Sequence, residues 1–388
     1  MMTNLKLTKK NQQHYKQIQH NKKPYHTNTN TNTIKHIYIK NNAGFGNKIY
    51  DLIFAIYLYN LYNIKSSSSS ASSSASSSPT NKCIINYVLS KSRHENVNDP
   101  SLDRLFPNTK SKINFIYEKT YQNILNNTQN QNTNYTIKFI DINTLPKYEE
   151  LLKHTTINNN FKLVYEMYKT FTQRDKDMFN MNKNSLTDKP TLDKITSQSF
   201  SLVHIRYGDK LYYLSKNINK PDLDIKTLLQ KDNNPNPIDQ FILYTPDYYI
   251  DKINELLEKT PTSMKIYIIT DSVNIVKQFI MQQTNFKNNS RIVLLDKMTW
   301  WDSFYLLYYA SNIILSNSTF CFAGAYFNKK NAKCDLLLYH HDENSLTIAP
   351  EEYALSPSWK ISNDRNYILN YNPKIAYIVI KYKFFWTD

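Results

Sequence analysis

Residues 200–209 read Phe-Ser-Leu-Val-His-Ile-Arg-Tyr-Gly-Asp. The apolar run at the start of this stretch predicts a strand buried on both faces, which is typical of parallel sheets. Alternate side chains of a strand share a face, so we expect His204 and Arg206 on the same side. Ligands of open α/β sheets bind beyond the carboxyl ends of strands, and an arginine there can hold phosphate oxygens through two N–H groups. A structural ion pair between Arg206 and Asp209 is the alternative interpretation.

The sequence after this strand alternates regularly between strands and helices. Thr245-Pro-Asp247 has the residues of a helix start, with threonine as N-cap and proline at the first helical position. The apolar pattern predicts helices at 245–259, 272–283, 300–309 and 319–327, and strands at 265–271, 291–296, 312–316 and 335–340. Such alternation predicts a parallel, doubly wound sheet covered on both faces, whose strand order the pattern does not reveal.

A second strand–helix unit precedes it. Strands are predicted at 34–40 and 83–89, with a helix at 48–62 after the turn Ala43-Gly-Phe-Gly-Asn47. Two glycines before a helix suit a loop that presents backbone N–H groups to an anion. A plain tight turn with Asn47 as N-cap is the simpler alternative. Further on, we expect a Ser-rich surface insertion at 66–78, a loop at 123–134 and a helix at 148–171.

Glycine is unusually scarce in this chain. Only four of 388 residues are glycine, namely Gly44, Gly46, Gly208 and Gly324, whereas average usage of about 7% would give roughly 27. We therefore expect these glycines where a side chain does not fit, either in a sharp turn or at a close approach of backbone.

Two more strand ends carry polar candidates. Ser316, Ser318 and Thr319 crowd a predicted helix start, where hydroxyls and unpaired N–H groups bind phosphate. Asp271 also ends a strand, where a carboxylate accepts hydrogen bonds from a ribose or a base. Capping of the following helix explains Asp271 equally well, whereas capping at the other strand end needs only one of the three hydroxyls. We predict no metal site: the Asp222-Leu-Asp224 pair lies in a polar loop, and the His340-His341 pair is interpreted as structural.

The charge is uneven along the chain. The formal net charge is +16, and half of it comes from eight lysines in the acid-free residues 1–40. We interpret this leader as a solvated tail, with contact to nucleic acid or an anionic surface as the alternative. Three cysteines without metal-ligand spacing, and the lack of a long apolar stretch, predict a cytoplasmic protein without a transmembrane helix.

Taken together and in order, these segments resemble the α-1,2-fucosyltransferase family, glycosyltransferase family 11. The resemblance covers about 34–62 and 200–350, and two residues depart from it, Lys48 for a glutamine and Tyr207 for a second arginine. The matching motifs are Gly44-Phe-Gly-Asn47, His204-Ile-Arg-Tyr-Gly-Asp209, Thr245-Pro-Asp-Tyr-Tyr249, Ile269-Thr-Asp271 and Asn317-Ser-Thr-Phe320.

The resemblance implies an α/β, GT-B-like fold of two Rossmann-like domains, with the donor nucleotide site in the C-terminal one. Residues 1–33 would be a disordered basic leader, and 34–195 an acceptor-side domain with the Ser-rich insertion at 66–80. Residues 196–350 would bind the nucleotide sugar, and 351–388 would form a C-terminal segment.

The implied reaction transfers L-fucose from GDP-fucose to a glycan hydroxyl with inversion, and it needs neither a metal nor another cofactor. Arg206 would be catalytic, because it stabilises the departing diphosphate. The implied donor contacts are His204, Gly208, Asp209, Asp271, Ser316, Ser318, Thr319, Phe320, Gly44, Gly46 and Asn47. Because Lys48 and Tyr207 depart from the family, a transferase using another nucleotide sugar stays open. The pI of about 9.3 and the 31 tyrosines keep a basic nucleic-acid-binding protein open as well.

Overall fold

A computed structural model describes residues 35–40, 44–63, 83–90, 99–128, 136–141, 167, 170–208, 243–337, 358–362 and 367. These residues form two parallel β-sheets that follow one another along the chain, each with helices packed on it. The fold is therefore α/β with two Rossmann-like units in sequence, the GT-B-like architecture that was predicted.

The N-terminal sheet has four parallel strands in the order β3-β2-β1-β4. The strands are β1 (Lys35–Lys40), β2 (Cys83–Leu89), β3 (Ile113–Tyr117) and β4 (Thr136–Asp141). The helices of this part are α1 (Phe45–Asn63), α2 (Leu102–Leu105) and α3 (Glu118–Thr128), and a 3₁₀ turn at Pro107–Ser111 follows α2.

The C-terminal sheet has six parallel strands in the order β10-β9-β8-β5-β6-β7. Its strands are β5 (Phe200–Ile205), β6 (Lys265–Thr270), β7 (Ile292–Leu294), β8 (Asn312–Ile314), β9 (Lys333–Leu337) and β10 (Trp359–Ser362). Since β10 lies beyond residue 350, the C-terminal segment supplies an edge strand of this sheet.

Helices connect these strands and precede them. They are α4 (Gln173–Asp177), α5 (Lys189–Thr196), α6 (Pro246–Lys259), α7 (Val273–Ile275), α8 (Trp300–Tyr309) and α9 (Thr319–Tyr326), and a π-helical turn at Val276–Ile280 continues α7. The predicted start of α6 is confirmed, because the Thr245 hydroxyl accepts a hydrogen bond from the Tyr248 amide and Pro246 is the first helical residue.

Besides strand ends that differ by one or two residues, three predicted boundaries are wrong. Helix α1 begins at Phe45, so Gly46 and Asn47 lie inside the helix and Asn47 is not its N-cap. Aromatic packing of Phe45 against Trp300 accounts for the earlier start, since their ring centroids are 4.1 Å apart. The helix predicted at 272–283 stops earlier than expected, because its last helical residue is Ile280.

The third error concerns the loop predicted at 123–134, whose first part is the end of α3. Tyr121 and Ile124 of this helix pack on Tyr38 and Val88 of the N-terminal sheet. This apolar contact outweighs the low helix propensity of the neighbouring asparagines.

One apolar core joins the two sheets. Helix α1 of the N-terminal unit packs directly on α9 of the C-terminal unit, and buried residues of both units belong to the same cluster, among them Ile53, Leu202 and Phe304. The carboxyl ends of both sheets are thereby held close to each other.

Several predictions concern residues outside the described ranges. These are the leader, the Ser-rich insertion, the Asp222–Asp224 pair, the His340–His341 pair and nearly all of the helix predicted at 148–171. Within the described ranges, no helix combines the length and apolar character needed to cross a bilayer.

A buried ion pair ties α4 to the N-terminal unit and carries a stability prediction. The Asp175 carboxylate, 1% exposed, accepts hydrogen bonds from Lys112 Nζ at 2.6 Å and from Asn60 at 3.2 Å. Burial acts to raise the pKa of Asp175, but the hydrogen bonds from Lys112, Thr172 and Asn60 outweigh it and lower the pKa below its usual value.

We expect Asp175→Asn to lower the free energy of unfolding at pH 7 by about 3 kcal/mol, because it leaves the Lys112 charge without its carboxylate. A lowered carboxyl pKa stabilises the fold above the unfolded-state value of about 4, and this stabilisation is lost as the pH falls through the folded-state pKa. The difference between wild type and Asp175→Asn should therefore shrink in urea titrations below about pH 4. Asp177→Asn, at an exposed position of α4, is the control; a difference that is independent of pH would contradict this assignment.

Candidate functional site

The candidate site lies where the strand order of the C-terminal sheet reverses. From β5 the chain adds β6 and β7 on one side, and it then returns to add β8, β9 and β10 on the other. The carboxyl ends of β5 and β8 border the crevice at this switch point, which is where open α/β sheets bind ligands. The N-terminal sheet has the same kind of switch point between β1 and β4.

Two predicted segments meet across this crevice. His204 Nδ1 and Ser316 Oγ are 2.7 Å apart, and Arg206 Nη1 donates to Ser318 Oγ at 3.4 Å. The His204 ring also stacks on Phe320, with centroids 5.4 Å apart. The prediction that His204 and Arg206 face the same side is confirmed, because both side chains contact the connection from β8 to α9.

Cys321, which the sequence did not mark as a site residue, holds the β8–α9 connection in place. The buried Cys321 thiol donates to the Ser316 and Ser318 carbonyls at 3.2 and 3.3 Å. Ser318 is the N-cap residue of α9, yet its hydroxyl caps no backbone amide of the helix. The hydroxyl is instead directed to Arg206, so Ser318 and the start of α9 face the crevice together.

Asp271 contacts the residues that follow β5. Its Oδ1 accepts from the Tyr207 amide at 3.1 Å and from the Ser272 hydroxyl at 3.0 Å, while Oδ2 lies 3.8 Å from Arg206 Nε. Ser272, not Asp271, occupies the N-cap position of α7, so the capping interpretation of Asp271 is wrong. The Ser272 hydroxyl also accepts from the Gly208 amide at 2.7 Å, a contact without any signal in the sequence.

Three of the four glycines occupy positions without room for a side chain, as predicted. A Cβ on Gly46 would lie 2.4 Å from the Phe320 amide nitrogen, and one on Gly208 would lie 2.3 Å from Asp271 Oδ2. Gly324 packs equally closely on Leu307, whereas Gly44 has nothing within 4 Å, so the prediction is wrong there. None of the four has a positive φ, which leaves close approach as the reason for glycine.

Tyr207 points away from the crevice. Its side chain is fully buried, its hydroxyl donates to the Tyr244 carbonyl at 3.0 Å, and its ring meets the edge of Tyr249. Burial raises the pKa of Tyr207 well above its usual value. Because neighbouring residues of an extended chain face opposite sides, position 207 belongs to the core on the side opposite Arg206.

Helix α1 reaches the same region from the other sheet. Gly46 in its first turn touches Thr319 and Phe320 of α9. The next described side chain, Lys48, is 4% exposed and donates to the Ser90 carbonyl at 2.6 Å, so it holds the end of β2. The Asn47 side chain and the whole of Asp209 lie outside the described part of the chain.

The site residues thus fall into three groups. The first group comes together at one end of the two sheets and consists of His204, Arg206, Gly208, Asp271, Ser316, Ser318, Thr319, Phe320 and Gly46. The second is Gly44, which precedes α1 without a close contact. The third consists of Asn47 and Asp209, whose side chains lie outside the described part of the chain. Within the described residues, no three or more His, Cys, Asp or Glu side chains are grouped as metal ligands.

No protein-family model and no curated protein matches the chain, so the resemblance to the fucosyltransferase family stays a prediction. Among solved structures, E. coli heptosyltransferase WaaC with ADP is similar, at 8% identity and a TM-score of 0.34, over 80% of this chain and 89% of that one. E. coli ADP-heptose lps heptosyltransferase II has 9% identity and a TM-score of 0.36, over 90% and 100%. Scores this low carry no argument about function.

Proposed function

We propose that this chain is a glycosyltransferase that binds the diphosphate of a nucleotide sugar at the switch point between β5 and β8. The observation that carries the proposal is the pairing of Arg206 with Ser318 at the start of α9, 3.4 Å apart across the crevice. A guanidinium, a hydroxyl and a helix N-terminus directed at one place form an environment suited to phosphate oxygens.

The chemistry of glycosyl transfer suits these groups. The acceptor oxygen forms a bond to the anomeric carbon while the bond from that carbon to the diphosphate oxygen breaks. The electron pair leaves with the diphosphate, and the acceptor hydroxyl gives its proton to a base. Since negative charge grows on the leaving group, fixed donors placed there lower the barrier. Arg206 and the first-turn amides of α9 supply such donors.

The neighbouring residues act as positioning residues in this proposal. Asp271 Oδ2 lies beside Arg206 Nε, on the stem side of the guanidinium, and its other oxygen is fixed by the Tyr207 amide. His204 contacts Ser316 and Phe320. These contacts fix the position of the β8–α9 connection, which contains Ser318. Both contacts hold their partners before a ligand arrives, which favours catalysis by preorganised charge.

The motif resemblance points to a finer assignment. We take GDP-fucose as the first donor to test, with transfer to a glycan hydroxyl, inversion at the sugar carbon and no requirement for a metal. The departure at Tyr207 does not reach the proposed diphosphate site, because the side chain is buried on the side opposite Arg206. The donor contacts proposed for Asn47, Asp209 and Gly44 rest on the resemblance alone.

A thermal-shift panel tests this assignment. GDP, UDP, ADP and GDP-fucose are each added to the full chain with and without EDTA. A ligand at one hundred times its Kd stabilises the folded state by about 2.7 kcal/mol, which is a rise in Tm of several degrees. We expect this rise for GDP and GDP-fucose, unchanged by EDTA. A response to UDP or ADP alone would contradict the fucose donor, and no response to any nucleotide would contradict the transferase proposal.

A further inference from the structure

A second cleft lies outside the candidate donor site. Its volume is about 550 Å³, and it lies between α2 with its 3₁₀ turn, the segment 182–187 and the start of α8. The polar and aromatic side chains that line it include Asp103, Arg104, Lys110, Asn182, Asn184 and Trp301. None of these residues takes part in the site described above.

The walls of this cleft are fixed to one another. The Asn182 amide donates to the Leu105 carbonyl at 2.8 Å, and the Asn182 side chain donates to the Arg104 carbonyl at 3.3 Å. On the third wall, Trp301 Nε1 donates to the Thr187 hydroxyl at 3.0 Å. The cleft is therefore preformed, which limits the entropy that a ligand loses on binding.

The lining has the chemistry of a sugar site with a surplus positive charge. Trp301 offers a partly exposed ring against which the apolar face of a pyranose can pack. The Asn182 Oδ1 accepts from the Asn184 amide and the Asn184 Oδ1 accepts from Lys189 Nζ. Each amide oxygen has a second lone pair, and the Asn184 side-chain nitrogen is a donor, so both residues can still bond hydroxyl groups. Lys110 pairs with Asp103 at 3.0 Å, whereas the exposed Arg104 forms no ion pair within the described residues. Its planar guanidinium suits a carboxylate or a sulfate.

A chain of aromatic contacts joins this cleft to the donor site. The Trp301 ring meets Trp300 with centroids 5.0 Å apart, and Trp300 meets Phe45 at 4.1 Å. Phe45 in turn lies 6.1 Å from Phe320 at the start of α9. Since α8 follows β7, its start and Trp301 lie at the carboxyl end of the C-terminal sheet, the same end as Arg206 after β5.

We propose that this cleft binds an acidic glycan, with Trp301 as the stacking surface and Arg104 as the partner of its acid group. Its role as the acceptor site rests on the proposed function. Binding of the glycan itself does not, because the cleft shares no residue with the nucleotide site.

Isothermal titration of the full chain tests the proposal with three probes: tetragalacturonate, heparin tetrasaccharide and the neutral chitotetraose. We expect at least one acidic probe to bind, and at least tenfold more tightly than chitotetraose. Arg104→Gln should weaken that binding at least tenfold, and so should Trp301→Ala, whereas Trp301→Phe should restore most of it. Arg174→Gln, an exposed arginine of α4 outside the cleft, should bind as the wild type does.

The outcomes separate the two proposals. Tight binding that Arg104→Gln leaves unchanged, or no binding of either acidic probe, would overturn the cleft assignment. Arg104 is exposed, so its substitution keeps the test valid even if Trp301→Ala does not fold. A chain that binds an acidic probe through Arg104 but responds to no nucleotide would keep the glycan cleft and contradict the transferase.

Discussion

Arg206→Ala is expected to remove the rise in Tm that a nucleoside diphosphate gives, and to weaken nucleotide binding by about 10²–10³-fold. A buried, hydrogen-bonded charge pair between ligand and protein contributes several kcal/mol, and each 1.4 kcal/mol is tenfold in affinity. The transfer rate should fall at least as far, because charge on the leaving diphosphate grows in the transition state. Titration calorimetry and release of the nucleoside diphosphate measure the two effects.

The fold should survive this substitution, because the Arg206 side chain is 33% exposed and lies at the edge of the crevice. Arg206→Lys is the matched variant: it keeps the charge but loses the planar fork, so we expect an intermediate loss. The ligand-free Tm of both variants should stay close to that of the wild type. Unchanged nucleotide affinity in Arg206→Ala would place the diphosphate elsewhere.

Gly46→Ala is expected to destabilise the protein by about 2 kcal/mol or more, although alanine is the better helix former by about 1 kcal/mol. The added methyl would lie 2.4 Å from the Phe320 nitrogen and 2.7 Å from its Cα, which are backbone atoms of α9. Relief of this contact requires α1 and α9 to move apart. Nucleotide binding should weaken as well, because the same movement shifts Ser318 and the start of α9.

Gly44→Ala is the control for this prediction. Gly44 stands two residues earlier, has no atom within 4 Å of an added Cβ, and does not have a positive φ. The substitution should leave stability unchanged or raise it by about 0.4–1 kcal/mol, through the lower entropy of the unfolded chain. Chemical denaturation should therefore show a loss of stability for Gly46→Ala and no loss for Gly44→Ala; equal losses would contradict the close packing of α1 on α9.

Much of the C-terminal sheet could be predicted because its signals are local. The apolar run 200–205 has the bounds of β5, Thr245 caps α6, and α8 spans the predicted residues. The close approaches at Gly46, Gly208 and Gly324 could also be predicted, since glycine is scarce in this chain and is found at these positions where a side chain does not fit. Each of these predictions depends only on a residue and its nearest neighbours in the sequence.

The remaining features depend on partners far along the chain. Phe45 joins α1 because it packs on Trp300, and Asp271 is directed to the Tyr207 amide, 64 residues earlier. Tyr207 stands where the resembling family has a second arginine, but its side chain lies in the core against Tyr249. Which side of a chain faces the crevice follows from the sheet order, and the pattern of apolar residues does not contain that order.

A crystal structure of the chain with the nucleoside diphosphate that stabilises it most tests the central claim directly. We expect the diphosphate between β5 and β8, within hydrogen-bond distance of the Arg206 guanidinium and the Ser318 hydroxyl. A diphosphate bound anywhere else, with Arg206 still directed to Ser318, would contradict it.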